Sequence, residues 1–230
     1  MRTILTLLLI GLLVTACATP LFAQKGLNYE EQVFDFGHVG IDFDITHTFK
    51  YTNSGEKPLT ITRLEIPCDC SKVTASDSIV APGHSVTFRL KFSTRDFFGP
   101  TNKSFKVHTD SPNLPELVYF NRAIVGQWYH YLKPEPISIF LLPAKTSKRV
   151  TIPNKAFDRI SLSVVEQADD IFSVRILNND VKMGKSLEFE IIARDDLPRG
   201  TFLSSVTIKI DKSGDDKPSI LTIPVKIVRF

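Results

Sequence analysis

From Val33 onward apolar and polar residues alternate, with Phe49 and Tyr51, Leu59 and Ile61, and Val86, Phe88, Leu90 and Phe92 recurring two apart. Alternation of that kind predicts half-buried β-strands, since successive side chains of a strand point to opposite faces. Turn-forming stretches, Asn53-Ser54-Gly55-Glu56-Lys57-Pro58 and Ala81-Pro82-Gly83-His84, separate the runs, and no long 3.6-residue period occurs. The reading is all-β, with Phe34, Phe36, Val39 and Phe49 entering the core. Asn53-Ser54-Gly55 is expected to turn one strand into the next through residues that tolerate positive φ, and Pro82-Gly83 to form the middle of a type II turn.

The second half repeats the first at an offset of 101. Asn53 falls on Asn154, Glu65 on Glu166, Val73 on Val174, Gly83 on Gly184, Phe88 on Phe189, Gly99 on Gly200 and Asp110 on Asp211. Apolar positions keep phase as well, Phe49 and Tyr51 over Val150 and Ile152. A one-residue slip would turn every side chain to the other face, so a shared phase over many strands is a strong signal. Near the end two residues are added, so that Pro115 meets Pro218. Each unit has about 100 residues and roughly seven strands, the size of an immunoglobulin-like sandwich. Two tandem domains are expected, at 26–128 and 129–230, joined through Gly126–Pro136. Its two prolines favour extended backbone, and its aromatics Trp128, Tyr129 and Tyr131 form either a domain contact or an exposed interaction surface.

Before the alternation lies a different segment. Residues 1–23 carry one charge, Arg2, and an apolar-rich run from Ile4 to Ala18, the pattern of an export signal. As a helix that run would span about 22 Å, short of the roughly 30 Å a membrane-spanning helix needs. Two cleavage sites compete: Val14-Thr15-Ala16-Cys17 resembles a bacterial lipobox, ending the signal at residue 16 with a lipidated Cys17, whereas Leu21-Phe22-Ala23 suits ordinary signal peptidase. Both place the mature protein outside the cytoplasm, in the periplasm, on the outer membrane or at the cell surface. Membrane contact is expected only through Cys17.

In the first unit Phe34-Asp35-Phe36-Gly37-His38-Val39, Thr48-Phe49-Lys50-Tyr51-Thr52-Asn53-Ser54-Gly55, Pro58-Leu59-Thr60-Ile61, Cys68-Asp69-Cys70-Ser71 and Ile79-Val80-Ala81-Pro82-Gly83 follow one another in order. This set resembles the bacterial domain of unknown function numbered 1573, which is similar to the hydin-like and major-sperm-protein-like immunoglobulin folds. The resemblance covers about residues 33–125 and implies a scaffolding or interaction module in an exported setting. It implies no activity. The second unit has Asp169 and Ile171 where Cys68 and Cys70 align.

Composition narrows the chemistry. A net charge of +3 over 230 residues gives no footprint for nucleic acid. After cleavage at either site the chain's chemistry-bearing cysteines are Cys68 and Cys70. In an extended strand their Cα atoms would lie about 6.6 Å apart, near the upper edge of disulfide geometry. Four states stay open for the pair: a disulfide, two buried thiols, a redox pair, or a soft-metal site for copper(I) or zinc with help from His38, His47 or His84. No nucleophile elbow, zinc-protease helix motif or phosphate-binding loop occurs. His38, His47, His84, His108 and His130 are scattered, and Asp169-Asp170, Asp195-Asp196 and Asp215-Asp216 read as loop carboxylates. Lys145, Lys148, Arg149 and Lys155 read as a solvated strand edge. No catalytic residue and no cofactor is expected. The reading is an exported, non-enzymatic cell-envelope protein that binds a protein partner of unknown identity, the alternatives being a pilus-type chaperone and a copper or redox protein using Cys68 and Cys70.

Overall fold

Alternation along Ser85–Ser93 puts Val86, Phe88, Leu90 and Phe92 on one face, and all four are fully shielded from solvent. The same logic holds along the chain in the computed structural model, which describes residues 32–168 and 170–230. The elements of the first half are β1 (Val33–Val39), β2 (Asp44–Thr52), β3 (Leu59–Glu65), β4 (Ser71–Ala75), β5 (Ile79–Val80), β6 (Ser85–Ser93), β7 (Gly99–Thr109) and β8 (Glu116–Val125). Those of the second half are β9 (Ile139–Leu141), β10 (Ser147–Pro153), β11 (Arg159–Glu166), β12 (Phe172–Asn178), β13 (Asp180–Lys182), β14 (Ser186–Ala193), β15 (Gly200–Lys212) and β16 (Asp215–Arg229). The all-β expectation holds. The export leader, both cleavage sites with Cys17, the stretch up to residue 31, and Asp169 lie outside the described residues.

Strand pairing repeats with the sequence. In the first half β2 pairs antiparallel with β6, Phe49 opposite Phe88; in the second β10 pairs with β14, Val150 opposite Phe189. Each half encloses its own apolar cluster between two facing sheets. The first is aromatic, built on Phe36, Phe49, Phe88, Phe105 and Tyr119, and the rings of the last four meet at centroid distances of 4.9–5.6 Å around Phe49 and Tyr119. The second is chiefly aliphatic, with Phe172 and Phe189 among Ile152, Ile208, Leu221 and Ile223.

Asn53 differs from its expected role. It is a buried bracket, not a positive-φ turn residue: its amide nitrogen donates to the carbonyls of Lys57 and Val80, and its side-chain oxygen accepts from Gly55. Gly55 likewise has no positive φ. Asn154 does the same work, donating to Phe157 and accepting from Ala156 and Phe157. Gly83, by contrast, sits at φ 75°, with His84 N–H donating to Ala81 C=O at 3.0 Å, as a type II turn requires.

The two halves share a sheet. Its strand order is β13-β11-β15-β16-β1-β8-β7-β3-β5, with β9 also on β16. β1 runs parallel to both β8 of its own half and β16 of the other, meeting β16 where His38 is opposite Leu221. This is possible because β9 covers only Val225–Ile227 of β16, leaving the earlier part of that edge to β1. At the crossing Gly37 has φ 62°, and a Cβ there would lie 2.0 Å from the carbonyl oxygen of Ile220. Only glycine allows that approach. The bulge at Gly37 also shifts the strand by one residue, which is how Phe36 and Val39, three apart, both reach the core.

The junction is not an extended strap. Leu132 N–H donates to Tyr129 C=O at 3.1 Å, closing a turn, Leu132 is wholly buried in the second cluster, and Glu135 bridges to Thr151.

Candidate functional site

The chain leaves β3 in the large sheet, turns at Ile66–Cys70 and enters β4 in the facing sheet. Cys68 and Cys70 lie in this turn and not in an extended strand, so their Cα atoms are 5.1 Å apart, closer than the strand value expected above. Their sulfurs are joined in a disulfide at 1.94 Å. Both residues are half-buried, Cys70 against the first apolar cluster, and Asp69 between them is exposed. The fully buried thiol pair is thus not the arrangement found.

Beyond this turn β3 has one open side. β5 covers only Leu59 and Thr60, and Ile61 N–H donates to Ser78 C=O at 2.8 Å. From Thr62 to Glu65 no strand among the described residues pairs with that edge. Alongside lies an open recess of ≈ 350 Å³ between the two sheets, lined by Ile61, Leu64 and Ala75 together with Thr62, Arg63, Asp77 and Ser78. Glu65 is paired with His108 at 2.9 Å and with Arg63 at 2.8 Å. The hydrogen bond from His108 holds the Glu65 carboxyl below its usual range, helped by the charges of Arg63 and Lys106 against a smaller opposing effect of desolvation.

The remaining residues singled out above are dispersed. Trp128, Tyr129 and Tyr131 are half-buried on the second cluster, Tyr129 stacked on Tyr131 at 5.3 Å and packed on His38 at 4.2 Å. They do not stand out as an exposed aromatic strip. His38 is buried, its Nδ1–H donating to the Gln127 carbonyl at 2.7 Å. His84 lies on the Gly83 turn, and His130 contacts Tyr131. Asp196 pairs with Arg194, Asp215 with Lys212 and Asp170 with Arg89. Arg149 on β10, a strand at a sheet edge, pairs with Glu188 at 3.4 Å. Among the described residues no three of His, Cys, Asp and Glu are grouped to hold a metal ion. No helix among them is long and apolar enough to cross a membrane.

Sequence reasoning did not anticipate the polar seam between the halves. Thr46 on β2 receives Ser205 on β15: its N–H donates to Ser205 Oγ at 3.0 Å and its carbonyl accepts from the same hydroxyl at 3.2 Å. Thr222 on β16 donates to the Phe36 carbonyl at 2.6 Å. His47 Nδ1 meets Glu166 Oε2 at 2.6 Å, and Glu166 Oε1 accepts from Thr48 N–H at 3.0 Å. The one hint was the coincidence of Glu166 with Glu65 in the repeat.

Residues 27–124 match the model of a family described as protein of unknown function (DUF1573). Those residues belong to that family. The DUF1573 segment runs through the first set of strands, includes the cystine turn and the open β3 edge, and stops one residue short of the end of β8. No curated protein sequence matches the chain. Similar solved structures include the VesB protease of Vibrio cholerae, 15% identical over 42% of this chain and 30% of that one, with a TM-score of 0.35. The chain therefore spans less than a third of that protease. A protein of unknown function from Porphyromonas gingivalis W83 is 14% identical over 85% of this chain and 96% of that one, TM-score 0.35. The CupB2 chaperone of Pseudomonas aeruginosa is 10% identical over 81% and 96% of the two chains, TM-score 0.25. None of these likenesses bears on activity.

Proposed function

We propose that the protein is an exported, non-enzymatic module of two immunoglobulin-like domains, 26–128 and 129–230, that holds a protein partner in the cell envelope. The observation that carries this reading is the shared sheet with its open β3 edge. β1 ties the halves into one body, and the edge from Thr62 to Glu65 offers unpaired backbone donors and acceptors beside a recess that holds Ile61, Leu64 and Ala75 among polar side chains. An extended segment of another protein can add there as a strand, its backbone supplying hydrogen bonds and one side chain in two entering the recess. The described histidine–carboxylate contacts join strands or halves to one another.

A photo-crosslinking residue at Thr62, in cells that make the protein, tests the reading. A single adduct from Thr62 and none from Glu188 on β14 of the second half supports it; no adduct from Thr62 removes it. The intact mass of protein recovered from the envelope tests export separately. A chain starting at Gln24 or at a lipidated Cys17 supports it, and a chain retaining Met1 to Ala23 overturns it.

A further inference from the structure

The cystine turn is held without its sulfurs. Ser93 N–H donates to Cys70 C=O at 2.8 Å and Ser71 N–H to Cys68 C=O at 3.1 Å, so backbone bonds secure the turn on both sides. In the second half the corresponding bond, Arg194 N–H to Ile171 C=O at 3.1 Å, is made 101 positions further on with no cysteine present. Ile171, 5% exposed, fills the core from the place of Cys70. A link between residues two apart also closes too small a loop to restrict the unfolded chain appreciably. The bond is therefore not explained as a staple.

Its surroundings suit reaction. Both cysteines are half-buried at a turn whose middle residue, Asp69, is exposed. Cys70 N–H points at Cys68 Sγ, 3.1 Å away, and the Ser71 hydroxyl lies 3.8 Å from Cys70 Sγ. An N–H directed at sulfur favours the thiolate, which makes Cys68 the better leaving group when the bond is attacked.

We propose that Cys68–Cys70 is an exchangeable cystine, a two-electron thiol–disulfide site that an external dithiol reduces while the fold stays closed. One thiolate of the dithiol attacks Cys70 Sγ. The Sγ–Sγ bond breaks, its electron pair goes to Cys68 Sγ, and a mixed disulfide remains on Cys70. The second thiolate of the dithiol then attacks the dithiol's own sulfur in that mixed disulfide and releases Cys70. The two protons lost by the dithiol end on Cys68 and Cys70, the dithiol is oxidised to its disulfide, and the cysteine pair has gained two electrons. This inference stands apart from the strand-addition reading; either can fail alone.

The test uses the full chain and dithiothreitol. Folded protein is treated with increasing reductant, alkylated without denaturant, and mapped by peptide mass so that Cys17 is counted separately, with circular dichroism followed in parallel. The expected result is no label on Cys68 or Cys70 before reduction, one on each afterwards, an unchanged spectrum, and return to no label on reoxidation. Opening should run at least about tenfold faster than global unfolding. Labels on both cysteines without reductant, or labels only under conditions that unfold the chain, would overturn the proposal. The Cys68→Ser/Cys70→Ser variant supplies an independent reading. It is expected to melt within a few degrees of the parent, whereas loss of the folded spectrum would make the bond a structural staple and end the proposal.

Discussion

His47 on β2 and Glu166 on β11 meet at 2.6 Å across the boundary between the two cores, although 119 positions separate them in the chain. Phe34 stacks on the imidazole at 3.6 Å with the rings 10° from parallel, so the histidine is fixed from its own half while its Nδ1 reaches into the other. Glu166→Ala removes the acceptor for both His47 and the Thr48 amide. The expected cost is about 1–2 kcal/mol in urea unfolding, since a partly exposed, charge-assisted bond contributes modestly. An unchanged midpoint would show that the halves are not held at this point.

Gly37 and Gly83 share a positive φ but not their surroundings. A methyl at Gly37 collides with the Ile220 carbonyl, while at Gly83 it meets nothing within 4 Å. Gly37→Ala is expected to cost more than about 2 kcal/mol, from steric conflict plus backbone strain, and Gly83→Ala about 1 kcal/mol from strain alone. Hydrogen exchange on β16 separates them further: only Gly37→Ala should speed exchange near Leu221. Equal effects of the two would count against the close crossing of β1 and β16.

Asn53 and Asn154 make equivalent brackets in different halves, with only 4% and 1% of their surface exposed. Each alanine substitution leaves buried carbonyls or amides without partners, so each should cost about 2–3 kcal/mol. Because the halves share a sheet, either substitution is expected to shift one common unfolding transition. Two separate transitions, each responding to one substitution, would show that the shared strands do not couple the halves.

Acid should destabilise the protein in a definite direction. The carboxyls of Glu65, Asp180, Glu190 and Asp215 are held below their usual range, chiefly by hydrogen bonds from His108, Arg159, Ser147 and Lys212 respectively. A depressed carboxyl binds protons more readily in the unfolded chain. Its stabilisation is therefore complete above the unfolded value of about 4 and is lost as pH falls through the lower folded value. Unfolding midpoints should stay level from neutrality to about pH 5 and then fall, the drop lessening in Asp180→Asn. A midpoint that rises as pH falls from 5 to 3 would contradict this assignment.

The alternation of Val86, Phe88, Leu90 and Phe92, and its return in Leu187, Phe189 and Ile191, determined by itself that the chain forms strands and which face of each is buried. That much is legible because burying one face of a strand is a choice made by side chains, and it leaves a period of two in the sequence. The spacing of Cys68 and Cys70 likewise bounded the loop they could close. What only the tertiary structure decided is how edges meet. β1 enters between β8 and β16 through backbone groups that every residue carries, so the pairing leaves almost no mark on composition; Gly37 is the exception, and its reason is the carbonyl of Ile220 in another half of the chain. Asn53 could be read as a turn former because its side chain suits turns, yet its role as a buried bracket depends on the Val80 carbonyl arriving from 27 positions away. His47 and Glu166 carry no local signal at all. Their contact is set by the packing of β2 against β15 and the emergence of Glu166 at the end of β11, a geometry fixed only once both cores have formed and β1 has joined them.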